Sequence, residues 1–194
     1  MPQPRLVLFT RYPVPGKAKT RLIPALGDAG AAAIHRTLAE RTVAVMRESG
    51  LPMEVRFTGA DRKDFAAWLG GGPSYQKQAD GDLGDRLRAA INPLPVIFVG
   101  ADCPDLAVCH LEQAAKALAD KDVVIGPAED GGYWLIGIAK RYDWLFTDMD
   151  WGTDAVLPET LKRLADRDID PVLLETLADC DRPDDLKRWP WLTA

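Results

Sequence analysis

Apolar positions along the chain fall into short runs that alternate with stretches of helical spacing. Residues 5–10 (RLVLFT) form a brief apolar run closed by a Pro/Gly loop, the mark of a buried strand. Asp28 stands where it can cap a helix over residues 29–49. Ile34, Leu38, Thr42, Val45 and Met46 share one face of that helix, and Gly50 stops it. Residues 53–58 read as a second strand. Asp61 then caps a helix holding Phe65, Trp68 and Leu69, which ends at the GGGP turn of residues 70–73. A further helix is expected over residues 83–91, after GDLGDR.

The second half keeps this rhythm. VIFVG, residues 96–100, is a compact apolar run that ends at Asp102, and an Ala-rich helix follows over residues 108–118. Residues 123–126 and 133–138 are two more strands around the turn PAEDGG. Thr153 is placed to cap a helix running to about residue 166, with Pro158 near its first turn, where proline is tolerated. A short strand at residues 172–174 precedes DCDRPDDLKRW, where Pro183 suits the first position of a closing helix. Strands alternating with helices predict an α/β fold, three-layer α/β/α, with a mostly parallel central sheet. With 194 residues and no linker or repeat, one domain over residues 1–194 is expected.

Composition narrows the function. The longest uncharged stretch, residues 89–101, contains Asn92, Pro93 and Pro95 and falls short of the roughly 20 apolar residues of a membrane span. The N-terminal apolar run is too short for a secretory signal, so a cytoplasmic location is expected. Cys103, Cys109 and Cys180 are widely spaced and outside any CxxC pattern, which points to reduced thiols rather than disulfides or structural zinc. The chain carries −5 overall, yet residues 1–27 hold Arg5, Arg11, Lys17, Lys19 and Arg21 and no acid, which leaves −10 for the remainder. That balance argues against nucleic acid and suits a small phosphorylated ligand at one basic loop.

The chemistry is expected where loops converge at the carboxyl ends of the strands. The opening loop, FTRYPVPGKAKTRL, contains GK but is no P-loop, because Ala18 follows Lys17 and Arg11 stands five places before Gly16. It also lacks GxGxxG. If the loop is extended, Lys17, Lys19 and Arg21 alternate onto one side and can meet one anion. Asp102 follows the central strand, a position from which a short acid can hold Mg2+ or Mn2+ against phosphates. Asp105 either joins it or caps the next helix. Glu129 and Asp130 lie in a turn whose Gly131 and Gly132 allow close backbone approach. Asp181 offers another carboxylate near a helix start. His35 and His110 read as structural or surface side chains, and an adjacent Asp102 disfavours a Cys103 thiolate.

FTRYPVPGKAKTRL, GDLGDRL, GADCPDL, PAEDGGYWLIG, WGTDAVLPETL and DCDRPDDL, in that order, resemble a bacterial family of uncharacterised nucleotide-diphospho-sugar transferases (DUF2064-like), read as glycosyltransferases. The resemblance runs from Leu6 to about Trp189. More distantly, the chain is similar to guanylyltransferases acting on 2-phospholactate. The resemblance implies a glycosyltransferase A-type, nucleotide-diphospho-sugar transferase fold. It implies that Thr10, Arg11, Lys17, Lys19, Thr20 and Arg21 contact nucleotide phosphates, and that Gly81, Asp82, Leu83, Gly84 and Arg86 line the nucleoside pocket. Asp102 and Asp181 become metal ligands. Glu129, Gly131, Gly132, Trp151 and Thr153 face the acceptor. Asp105, Asp130 and Arg21 become catalytic, one of the two acids being the general base. Two departures from the family pattern stand out: Arg182 replaces a Thr, and WGTD replaces the commoner WST.

The leading expectation is therefore a Mg2+- or Mn2+-dependent glycosyltransferase with a nucleotide-sugar donor and a small-molecule acceptor. A nucleotidyltransferase acting on a phosphorylated or acidic molecule is the second reading, since a triphosphate engages more of the loop's cations. A non-catalytic nucleotide-binding module is the third.

Overall fold

In the computed structural model, which describes residues 2–194, seven strands form one sheet in the order β3-β2-β1-β4-β6-β5-β7. They are β1 (Arg5–Arg11), β2 (Met53–Thr58), β3 (Ser74–Lys77), β4 (Val96–Val99), β5 (Val123–Pro127), β6 (Tyr133–Ile138) and β7 (Val172–Leu173). β1, β2, β3 and β4 pair in parallel, whereas β6 runs against both of its neighbours, β4 and β5. The sheet is thus mostly parallel, with one reversed strand formed by the tight PAEDGG hairpin. β3 escapes the hydrophobic pattern because it is an edge strand of four residues in which only Tyr75 is buried.

Helices α1 (Ile23–Glu48), α2 (Arg62–Leu69), α3 (Leu83–Ala89), α4 (Val108–Asp120) and α5 (Val156–Ala165) connect and cover the strands. Alternation along β1 divides the core. Leu6 and Leu8 join Ala39, Val43 and Met46 of α1, Phe65 of α2 and Leu111 of α4 on one face. Val7 joins Leu87 of α3 and Leu164 of α5 on the other. This period of two, with a helix layer on each side, makes the three-layer α/β/α architecture. A third cluster packs Ala178, Cys180, Trp189 and Leu192 of the C-terminal segment against Ile34 and Leu38 of α1.

Several boundaries differ from the sequence reading. α1 starts at Ile23, with Pro24 in its first turn, and is broken at Gly27, whose φ of 68° and ψ of 174° are not helical. Asp28 therefore begins the second limb rather than the helix. α5 begins at Val156, because Thr153 closes a turn instead, its hydroxyl donating to the Asp150 carbonyl at 2.8 Å. No closing helix forms after Pro183; two short 3-10 turns, Asp185–Arg188 and Pro190–Leu192, take its place. Among the described residues, no helix is long and apolar enough to cross a membrane.

Candidate active site at the carboxyl edge of the sheet

Four chain segments meet at the carboxyl ends of β1, β4 and β5. They are the basic loop after β1, the loop after β4, the β5–β6 turn, and the segment around Asp181. The C-terminal segment is drawn in by its packing on α1 and by a backbone bond from Cys180 N to the Asp102 carbonyl at 2.8 Å. The β5–β6 turn is held by Glu129 N to Leu177 O at 3.1 Å and Leu177 N to Pro127 O at 3.1 Å. Backbone hydrogen bonds thus fix how far apart the functional side chains sit.

The basic loop is not extended, so its cations do not alternate onto one side. Lys19 adopts the left-handed conformation with φ of 47°, and Thr20–Leu22 form a 3-10 turn. This geometry turns Lys19 inward and leaves Lys17 and Arg21 outside. Lys19 Nζ contacts Asp102 Oδ1 at 2.5 Å, Asp181 Oδ1 at 2.7 Å and the Cys180 carbonyl at 2.7 Å. An ammonium has three donors, and all three are engaged by protein. Lys19 is therefore a side chain tied between two acids rather than a free phosphate contact, contrary to the sequence reading. Burial works against its charge, but Asp102 and Asp181 outweigh that and hold its pKa above the ordinary lysine value. Burial likewise pushes the Asp102 carboxyl up, and Lys19 overcomes it, leaving the pKa lowered.

Arg11, Lys17, Thr20 and Arg21 line one side of a cavity of about 490 Å³, and Asp102, Asp130 and Asp181 line the other. Arg21 is exposed, with Nη1 3.4 Å from Asp181 Oδ2. Arg11 Nη1 donates back to the Lys17 carbonyl. Thr10 is buried and lies 3.4 Å from His35 Nε2, so it braces the loop from beneath. His35, read from sequence as merely structural or surface, sits under the site and donates from Nε2 to the Arg11 carbonyl at 2.9 Å. Helical spacing alone holds no sign of that contact.

His35 also makes stability pH-dependent. Burial lowers its pKa, reinforced by Lys19 and Arg11 and opposed by its bond to the Arg11 carbonyl and by Asp102. The unfolded chain takes up this proton near pH 6.5, while the folded chain resists it. Unfolding free energy is therefore expected to fall as pH drops below about 6.5, with a shallower slope between pH 7 and pH 5 in a His35→Gln variant. Denaturant titrations across that range test this, and equal slopes would refute it.

Glu129, Asp130, Thr153 and Asp181 line a second cavity of about 500 Å³, together with Arg21, Arg182 and Arg188. Glu129 forms a bidentate pair with Arg188 at 2.6 and 3.0 Å. Asp130 accepts from Gly132 N at 2.9 Å and faces both cavities. Gly132 and Trp151 border a smaller, more apolar recess of about 280 Å³ with Leu83, Tyr133 and Val156. Gly131 does not reach the cavities. It packs against the backbone of Asp154, while its carbonyl accepts from Leu157 N at 2.9 Å.

Two groups of sequence-predicted residues lie elsewhere. Asp105 accepts the Trp189 indole N–H at 3.0 Å on each oxygen and lines none of these cavities. It anchors the C-terminal segment instead of facing these cavities. Asp105→Ala is expected to lower stability by about 1–3 kcal/mol, since a buried indole donor loses a charged acceptor. Turnover below the melting range should stay close to wild type, and a large loss in kcat would restore a catalytic role.

Of the GDLGDR residues, only Leu83 reaches a recess. Asp82 caps α3 by accepting from Asp85 N at 2.8 Å. Gly81, with φ of 100°, makes room for that capping box. Gly84 lets α3 approach the Phe146 carbonyl, which an added Cβ would meet at 2.0 Å. Arg86 bonds the Gly81 carbonyl and Gln78. None of these four positions lines the cavities described above.

One acid went unread. Asp179 lines both the second cavity and the apolar recess, and burial together with the charges of Asp130, Asp181 and Asp102 raises its pKa to about 6. The spacing Asp179-Cys180-Asp181, a DxD, was the available signal. Cys103 is buried, and burial with the Asp102 charge pushes its thiol well up, which leaves no nucleophilic cysteine here. Burial also raises Cys180, to about 11. Among the described residues, no three His, Cys, Asp or Glu side chains stand close enough to chelate a metal. The donor set is nevertheless all carboxylate, which suits a hard divalent cation: Asp102, Asp130, Asp179 and Asp181 line one recess together.

Comparison with known proteins agrees with this architecture. No curated protein matches the chain. A solved structure from Desulfovibrio desulfuricans, provisionally assigned as a nucleotide-diphospho-sugar transferase, is 29% identical with a TM-score of 0.89, covering 96% of this chain and 85% of that one. Rv0371c of Mycobacterium tuberculosis, solved in complex with manganese, is 17% identical with a TM-score of 0.58, covering 96% and 97%. A CMP:2-keto-3-deoxy-manno-octonic acid synthetase complexed with CTP is 14% identical with a TM-score of 0.58, covering 99% and 98%. The first similarity, with the sheet order and layers, shows a nucleotide-diphospho-sugar transferase fold. A family model described as "Uncharacterized protein conserved in bacteria (DUF2064)" matches residues 38–153. Because that match takes in well over half of the chain, from the middle of α1 to the loop before α5, the chain belongs to the DUF2064 family.

Proposed function

We propose that the protein is a divalent-metal-dependent glycosyltransferase that uses a nucleotide-diphosphate-sugar donor and a small-molecule acceptor. The observation that carries this reading is the meeting, across one cavity, of the Lys17 and Arg21 side with Asp102 at the end of the central strand. Support also comes from the 29% identical structure provisionally assigned as a nucleotide-diphospho-sugar transferase and from the manganese bound by a protein of the same fold.

Asp102 and Asp181 would hold the cation, which would supply Lewis acidity toward the donor's diphosphate oxygens. Lys17 and Arg21 lie at the cavity wall, where they lower the charge on the departing nucleoside diphosphate. His35 keeps the loop backbone in place through Arg11. Asp130, bonded to Gly132 N and facing the acceptor cavity, serves as the general base. It takes the proton of an acceptor hydroxyl as that oxygen bonds to the sugar's anomeric carbon and the bond from that carbon to the diphosphate oxygen breaks.

Incubation with Mn2+ or Mg2+, a panel of nucleotide sugars and nucleoside triphosphates, and acceptor pools tests the proposal. Nucleoside diphosphate release is expected. Pyrophosphate release would overturn it in favour of nucleotidyl transfer, and nucleotide-induced stabilisation without turnover would mark a non-catalytic module.

A further inference from the structure

Lys19 is unusual among the basic-loop cations. Its side chain is 3% exposed, yet the two carboxylates it joins remain open, Asp102 at 47% and Asp181 at 32%. A buried ammonium thus lies beneath two acids whose outer faces look onto the cavity. The three partners come from separate parts of the chain: Asp102 from the loop after β4, and Asp181 and the Cys180 carbonyl from the C-terminal segment. No other cation joins both acids among the described residues; Arg21 reaches only Asp181, on its other oxygen and at 3.4 Å. The left-handed backbone at Lys19 is what aims the side chain inward, a conformation that non-glycine residues adopt rarely.

We infer that Lys19 is an internal counter-cation that occupies the place of the divalent metal, holding Asp102 and Asp181 together until a metal displaces it. This inference rests on the metal-dependent reading above and adds to it a residue that competes with the metal. Asp102 Oδ1 and Asp181 Oδ1 are each already bonded to Lys19 Nζ at 2.7 Å or less. A dication drawn to the same two oxygens would meet a positive charge at closest range, where like-charge repulsion is strongest. Lys19 must then leave, and its flexible four-carbon stem allows the ammonium to swing out on the loop toward the cavity, where phosphate oxygens would receive it. In this sequence the same residue organises the acids in the metal-free protein and becomes available to the nucleotide only after the metal binds. It acts through Asp102 and Asp181, and is therefore a positioning residue in the metal-free state.

The wild-type protein provides the first test. Amine acylation followed by peptide mass spectrometry should leave Lys19 almost unmodified in EDTA and label it at least several-fold more in saturating Mn2+, with Lys17 labelled equally in both. Unchanged protection of Lys19 in Mn2+ would overturn the inference. Mn2+ titrations read by electron paramagnetic resonance provide the second test. Lys19→Met should tighten Mn2+ binding about tenfold more than Arg21→Met, which removes an equal charge beside Asp181 without vacating the Asp102 and Asp181 oxygens that Lys19 holds. Equal gains in the two variants would reduce Lys19 to a bulk charge effect and overturn the proposal while leaving the metal-dependent reading intact. Absence of Mn2+ binding in wild type and both variants would instead sink that reading and this proposal with it.

Discussion

Asp102→Asn is expected to lower kcat by about a hundredfold or more with whichever donor the wild-type protein turns over, while leaving the fold intact. Electrostatic stabilisation of charge on a departing diphosphate is worth this much, and losing one such contact typically has effects of this size. Asparagine keeps an oxygen to accept from Lys19 but removes the charge that a cation needs. Lys19 retains Asp181 and the Cys180 carbonyl, so the hub is not left with an unpaired buried ammonium. The half-exposed position of Asp102 limits the structural penalty further. Thermal melts should change little in EDTA, whereas the stabilisation that Mn2+ with nucleotide confers on wild type should disappear. A variant that turns over at the wild-type rate would remove Asp102 from the metal site and, with it, the central element of the proposed chemistry.

Gly131→Ala should be strongly destabilising, on the order of 3 kcal/mol. Its φ of 88° lies where a Cβ costs about 1–2 kcal/mol, and the added atom would come within 2.5 Å of the Asp154 backbone. Backbone cannot move aside as a long side chain does. The Leu157 N bond to the Gly131 carbonyl couples that displacement to the start of α5. In a chain of this size, such a loss corresponds to a melting temperature lower by roughly 6–12 °C. Gly50→Ala makes the control: its φ of 69° is also left-handed, but nothing lies within 4 Å of the added carbon. That variant should show only the conformational part. Equal melting temperatures for the two would show that the Asp154 contact carries no weight. Acceptor-dependent turnover should also fall in Gly131→Ala, because Thr153 and Asp154 border the cavity and move with the clash.

Much of this architecture is legible in the residue pattern. The uninterrupted apolar runs at β1 and β4 and the helical spacing of Ile34, Leu38, Thr42 and Met46 report burial directly, because periodicity is the physical record of which face meets the core. Asp102 follows from the same logic, since a strand's end can be read and ligands gather there. Periodicity is silent where structure depends on backbone conformation. β3 has one inward residue, the helix limbs meet at a non-helical Gly27, and Pro183 heads 3-10 turns rather than a helix. Asp105 illustrates the other limit: its position near the strand end suggested catalysis, and only the distant Trp189 shows where its oxygens are engaged.

The amino-acid sequence by itself thus determined the α/β layering, the strand ends that carry acids, the basic loop after β1 and the motifs that mark the family. Tertiary structure decided how the charges are paired. A side chain's partner depends on segments far apart in the chain, and here α1, by packing on Cys180 and Trp189, carries Asp181 to Lys19 across 162 residues of sequence. It decided, too, that Lys19 turns inward while Lys17 and Arg21 remain outside, because one left-handed residue and a 3-10 turn break the alternation that an extended loop would keep.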